Sequence, residues 1–303
     1  MIGIRNLVKS LPKLTYGLVW GNAQPATSTV CENGTANFTV SASGTNVSYQ
    51  WQVSTNGGSS FTNISNATSA NYTTVALTAS KYYRAVVTNG VCSSDTSAVV
   101  AISITPVSQA GTISGITAIC NGSSTQLTVS GYRGNLQWQR STGGAYADIS
   151  GETSATLSTG ALTQNSSYRV VATNGVCPGD TSAAITVVVD EPSVAGTASG
   201  AATICTGTST TVQITGNRGT VQWQSSADGL TYSNVSANGT SASYTTSALT
   251  STTYFRAVVT NGVCSADTSN SVTITVDDIT PPVQPTLADV VGECSVTVTA
   301  PTT

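Results

Sequence analysis

Apolar and polar positions alternate in short runs along most of the chain. In 125–129, Leu127 and Val129 fall on one side, with Gln126 and Thr128 on the other. That period of two marks a half-buried strand. Residues 135–140 repeat the pattern with Trp138 facing in and Gln137 and Gln139 facing out, and the tip Ser141-Thr142-Gly143-Gly144 turns the chain into 145–149. Further runs at 153–157, 167–173 and 182–189 are separated by turn residues, the spacing of a sheet protein with many short strands.

The same order occurs three times. Tyr49-Gln50-Trp51-Gln52, Leu136-Gln137-Trp138-Gln139 and Val221-Gln222-Trp223-Gln224 place their tryptophans 87 and 85 residues apart. Tyr83-Arg84, Tyr168-Arg169 and Phe255-Arg256 each lead through Thr-Asn-Gly-Val to Cys92, Cys177 and Cys264, while Cys31, Cys120 and Cys205 precede the tryptophans. A period of about 86 residues is a whole domain rather than a solenoid turn. About seven strands with a buried tryptophan on the third describe an immunoglobulin-like sandwich. The predicted fold is therefore all-β: three tandem immunoglobulin-like β-sandwich domains in an extended rod, at 24–105, 106–190 and 191–278. Trp51, Trp138 and Trp223 are the expected core centres. Asn89-Gly90, Asn174-Gly175 and Asn261-Gly262 supply residues that accept positive φ in a tight turn.

Composition narrows the class. Serine and threonine are 94 of 303 residues, charged residues are 8%, histidine is absent and the net charge is −3. No basic face is available for nucleic acid, the chain is poor in the Glu and Lys of helical bundles, and its many β-branched residues argue against disorder.

Seven cysteines fall as two per repeat plus Cys294. The expected pairs are intradomain: Cys31–Cys92, Cys120–Cys177 and Cys205–Cys264. They require the late strand to bring its cysteine back beside the first; if the two lie at opposite ends of the sandwich, no bridge can form. Disulfides imply an oxidising, extracellular or cell-surface location. Lys9 and Lys13 before the apolar 14–20, with Gly21-Asn22-Ala23 after it, have the layout of a secretory leader over 1–23. No segment has the ~20 apolar residues of a membrane span.

The series Gly111-Thr112-Ile113-Ser114-Gly115, Ile119-Cys120-Asn121-Gly122, Gln137-Trp138-Gln139 and Asn174-Gly175-Val176-Cys177 resembles the tandem Ig-like repeats of secreted and surface adhesins of gliding bacteria that use type IX export. That resemblance spans 27–278 and implies stalks, spacers or binding arms. The tail 279–303, with Gly292-Glu293-Cys294-Ser295-Val296-Thr297-Val298, resembles the opening of a hyalin-type repeat. This implies a truncated further β module, continuous with others in a longer protein.

Candidate chemistry is sparse. Asp95, Asp180 and Asp267 recur three residues past each second cysteine, which fits a cap on the Asn-Gly turn better than catalysis. No enzymatic site and no cofactor are expected. Asp190-Glu191 and Asp277-Asp278 are weak calcium candidates at strand ends, with solvated linker charge as the alternative. The hairpins from Ser54 to Phe61 and from Ser226 to Tyr232 are similar to Asp-box hairpins, in which the side chain shapes the turn. Phe61, Tyr146 and Tyr232 are candidates to stack on sugars, and Arg84, Arg169 and Arg256 to meet an anionic glycan. The expected function is a non-enzymatic stalk or adhesive region making weak contacts with glycans or surfaces. The alternative is a spacer in a secreted hydrolase whose catalytic domain lies elsewhere.

Overall fold

The computed structural model describes residues 19–20, 28–44, 46–90 and 93–277, and among these every regular element is a strand. The second repeat shows the plan. Thr112–Gly115, Gln126–Ser130 and Thr156–Ser158 form a three-stranded antiparallel sheet. The opposing sheet runs Ala118–Cys120, Ile185–Asp190, Ser166–Thr173, Asn135–Ser141 and Ala147–Asp148, with Asp180–Thr181 paired to Ser166–Thr173 beyond that path. The chain thus opens on one sheet and crosses to the other within a few residues. The inward side chains of the two sheets make the core.

The long strands set the register. Asn135–Ser141 pairs with Ser166–Thr173 so that Trp138 lies opposite Val170 and Gln139 opposite Arg169. Burial along Ser166–Thr173 alternates strictly, with Tyr168, Val170 and Ala172 enclosed. Trp138 is fully enclosed among Leu127, Leu157, Leu162 and Val187. Its indole N–H donates to the carbonyl of Ser154 at 2.8 Å, which lets a polar group sit in an apolar core without loss.

The third repeat copies this arrangement. Thr197–Ser199, Thr211–Thr215 and Ser243–Thr245 form one sheet; Ala202–Cys205, Val272–Asp277, Thr253–Thr260, Thr220–Ser226 and Ser233–Asn234 form the other. Trp223 is fully buried and donates to Ser241 O at 2.9 Å. In the first repeat Ser28–Cys31, Val100–Thr105, Lys81–Asn89, Val47–Ser54 and Thr62–Asn63 build the larger sheet. Asn37–Thr39 pairs with Asn71–Thr73 opposite it. Trp51 is fully buried, donates to Ser69 O at 2.9 Å, and stacks on Phe38 at 5.5 Å between ring centres.

Of the leader expected over 1–23, only Val19–Trp20 lie among the described residues. They form a short strand antiparallel to Ala42–Ser43. The tail expected as a further module, with Asp278 and Cys294, lies outside the described residues, as does Cys92.

One expectation fails outright. Cys31 is bonded to Cys177 of the second repeat, with Cα atoms 4.9 Å apart and a sequence separation of 146. Cys205 is a free thiol, while Cys120 and Cys264 are disulfide-bonded. This excludes all three intradomain pairs, Cys31–Cys92, Cys120–Cys177 and Cys205–Cys264. The reason is strand direction. Ser28–Cys31 runs parallel to Val100–Thr105 with Cys31 opposite Thr105, at the end where the chain leaves the first repeat. Lys81–Asn89 runs antiparallel to Val100–Thr105, so Asn89 lies at the other end. A nine-residue strand covers about 30 Å at ~3.3 Å per residue. The three residues from Asn89 to Cys92 cannot return that distance, and a disulfide needs Cα atoms within about 7 Å.

Candidate functional site

Two features recur in the repeats: a stitched junction where one repeat follows another, and an outward face built on an arginine.

At the junction of the first two repeats, the turn after Ser166–Thr173 packs on the segment that enters the second repeat. Asn174 N donates to Ser108 Oγ at 3.0 Å and its side-chain amide to Pro106 O at 2.8 Å. Cys177 Sγ lies 3.3 Å from the carbonyl oxygens of Thr105 and Pro106. Being in a disulfide it has no proton to give, so this contact is packing. Gly175 has φ +54°, and a Cβ there would come within 3.1 Å of Thr105 Cγ2. Only glycine meets both conditions without strain. The third repeat holds its own entry segment in the same way. Asn261 N donates to Ser193 Oγ at 2.9 Å, its side-chain amide to Glu191 O at 2.7 Å, and Val263 N to Asp190 Oδ2 at 2.9 Å. A Cβ on Gly262 would collide with the Asp190 carboxylate.

The recurrent aspartates serve this same stitching. Asp180 accepts from Ala110 N at 2.8 Å and from Thr181 N at 2.9 Å; Asp267 accepts from Ala195 N and Thr268 N, each at 2.9 Å. They tie the entry segment to a short strand instead of capping the Asn-Gly turn. Of the acids weighed for calcium, Asp190 receives Val263 N, and Glu191 lies 3.9 Å from Arg218 with both side chains about half exposed. An exposed pair of that kind contributes about 0–1 kcal/mol. Among the described residues no three His, Cys, Asp or Glu side chains gather as a metal site.

On the outward face, Arg169 Nε donates to Gln139 Oε1 at 2.7 Å, and the Gln139 amide donates to Asp148 Oδ1 at 2.8 Å. The Arg169 guanidinium lies 4.1 Å from the centre of the Tyr146 ring. Arg84, Gln52, Asn63 and Phe61 repeat the set, as do Arg256, Gln224, Asn234 and Tyr232, with ring distances of 4.0 and 3.9 Å. The ladder follows from register, since Gln139 sits opposite both Arg169 and Asp148. Phe61, Tyr146 and Tyr232 are thus half-buried under a guanidinium rather than freely exposed. Cation–π contact contributes about 0.5–1 kcal/mol at such sites.

The hairpins beneath these rings are held by short side chains. Ser226 Oγ donates to Asp228 Oδ1 at 2.8 Å, and the same oxygen receives Leu230 N and Thr231 N at 2.9 Å. Asn56 takes the aspartate's place in the first repeat, accepting from Ser60 N at 3.0 Å. The backbone N–H of Thr231, then that of Leu230 and the Ser226 hydroxyl, lower the Asp228 pKa from 3.8 to about 2. A depressed carboxyl pKa stabilises the fold above the unfolded value, and that contribution is lost as pH falls through the folded one. The hairpin from Ser226 to Tyr232 should therefore stay closed at pH 4 and loosen only towards pH 2. Following the Leu230 and Thr231 amide resonances by NMR checks this; a midpoint near 4 would contradict it.

Among the described residues no helix is long and apolar enough to cross a membrane. The model of a family described as a domain of unknown function, DUF8696, matches three times, at 20–106, 109–191 and 194–278. No curated protein matches the chain. Among solved structures, a three-Ig stretch of titin, an E-to-A mutated variant, has TM-score 0.51 at 11% identity, covering 86% of this chain and 98% of that one. Two weaker likenesses are the three N-terminal domains of the highly immunogenic outer capsid protein of bacteriophage RB49 and extracellular domains 3–5 of Drosophila OTK. The phage domains have TM-score 0.40 at 11% identity, covering 87% of this chain and 99% of theirs; the OTK domains have 0.34 at 12%, covering 88% and 100%. The titin likeness bears on fold alone.

Proposed function

Since this chain belongs to the DUF8696 family through all three of its repeats, we propose that it acts as a non-enzymatic spacer in a secreted or surface protein, its outward faces making weak contacts with glycans. The observation that carries the spacer reading is the Cys31–Cys177 bond, which joins one repeat to the next instead of closing either. A linkage of that kind resists separation of neighbouring domains, and disulfides persist in oxidising surroundings outside the cytosol. The contact reading draws on the half-buried rings of Phe61, Tyr146 and Tyr232, repeated once per domain beside an arginine. Sites repeated on one chain reach useful avidity even when each is weak.

The test is a panel of polysaccharides and coated surfaces probed with the oxidised chain and with a variant carrying Phe61→Ala, Tyr146→Ala and Tyr232→Ala together. Weak retention of the wild type, lost in the triple variant with unchanged melting, is the expected result. Equal retention of the two proteins would remove the contact reading and leave a passive spacer. Hydrolysis of any polysaccharide or peptide by the purified chain would overturn the non-enzymatic reading.

A further inference from the structure

We propose that Cys205 is the open half of a disulfide that joins copies of this chain head to tail, its partner being Cys92 of a second copy. The placement of Cys205 is that of Cys31. Ala202–Cys205 lies parallel to Val272–Asp277 with Cys205 opposite Asp277, as Ser28–Cys31 lies parallel to Val100–Thr105 with Cys31 opposite Thr105. The turns that follow also match. Gly34 N donates to Cys31 O at 2.8 Å and Thr208 N to Cys205 O at 3.2 Å, while Asn33 N and Gly207 N donate to the carbonyls of Leu77 and Leu249 at 2.8 Å. At the first site the cysteine bonds to the turn of another repeat. At the second it is a free, half-buried thiol.

An independent observation identifies the partner. The sequence Thr-Asn-Gly-Val-Cys is identical at 88–92, 173–177 and 260–264. In the second and third copies the glycine is pressed against the end of the strand that precedes its repeat: Gly175 against Thr105 and Gly262 against Asp190. Gly90 has the same conformation, φ +58°, yet no described atom lies within 4 Å of where its Cβ would be. The first repeat therefore presents an uncovered docking turn, and the third presents the strand end and thiol that such a turn meets. Asp277 stands there at the position of Asp190. The two halves face partners of each other's kind, and a heterologous contact that does not close on itself adds copies in an open chain. This holds whether or not the chain serves as a spacer.

The bond forms by thiol–disulfide exchange with a small disulfide oxidant such as oxidised glutathione. The Cys205 thiolate attacks the oxidant, forming a mixed disulfide and expelling one glutathione thiolate. The Cys92 thiolate of the second copy attacks the Cys205 sulfur and expels the other. Two protein thiols are oxidised, one glutathione disulfide is reduced, and the two protons end on the released glutathiones.

The experiment incubates the full chain, concentrated, in a glutathione redox buffer and reads non-reducing gels and cross-linked peptides. Wild type should give a ladder that collapses on reduction, with a Cys205–Cys92 peptide. Cys205→Ser and Cys92→Ser should each remain monomeric alone, and their mixture should stop at a dimer, because each supplies one half. Dimerisation of either single variant alone, a peptide joining Cys205 to Cys205 or to Cys294, or Cys205 remaining alkylatable with no ladder would overturn the proposal.

Discussion

Trp138→Ala is expected to unfold the second repeat or leave it on the edge of unfolding. Replacing a fully buried aromatic costs roughly 3–5 kcal/mol, a large part of the ~5–15 kcal/mol that holds a domain folded. The indole is wholly enclosed, and removing it also strands the Ser154 carbonyl that its N–H serves. Trp51→Ala and Trp223→Ala should act likewise on their own repeats. Trp51 leaves the larger hole, since Phe38 and Tyr72 stack on it at 5.5 and 5.8 Å. Denaturant titrations of the three variants, followed by the tryptophans that remain, check this. A Trp138→Ala chain that unfolds at the wild-type midpoint would refute the assignment of this residue as the core centre.

Cys31→Ser should have the second large effect. The Cys31–Cys177 bond closes a loop with sequence separation 146, and the loop-entropy relation puts the stabilisation of so long a loop at about 5 kcal/mol. The same bond diverts tension. A chain pulled from its ends passes load from Cys31 directly to Cys177, and the residues between are withheld. At ~3.5 Å per extended residue, cutting the bond should add about 500 Å of length. Single-molecule stretching of the oxidised chain before and after addition of reductant measures both effects. Equal final lengths, or equal melting of wild type and Cys31→Ser, would show that the bond carries neither.

The sandwich was legible because a strand buried on one face writes its orientation into alternate residues. The runs around Trp51, Trp138 and Trp223 therefore announced both fold and repeat. The cysteines were not legible in the same way. Cys31 and Cys177 are 146 residues apart in sequence, and their meeting depends on the opening strand lying parallel to the closing one. Alternation gives the face of a residue but not the direction of its neighbour. The signal that could have exposed the error was present: the first cysteine precedes the second strand and the second follows the long late strand, which places them at opposite ends. Two-residue elements such as Asp180–Thr181 are too short to show a period, so the reach of Asp180 to Ala110 appears only once the short strand is in place. Alternation also put Phe61, Tyr146 and Tyr232 outside, but not under the guanidinium groups that occupy one face of each ring.

A chain closed on itself between Cys31 and Cys177 also outlives damage differently from a linear one. A protease that cuts a single exposed loop within 32–176, or the Pro106 segment that joins the first two repeats, breaks the backbone but releases nothing, because the bond still bridges the cut. Shedding then requires a second event, either a cut outside the loop or reduction of the disulfide. For a protein outside the cell, beyond the reach of resynthesis in place, survival would depend on the rarer coincidence of two lesions and not on the first.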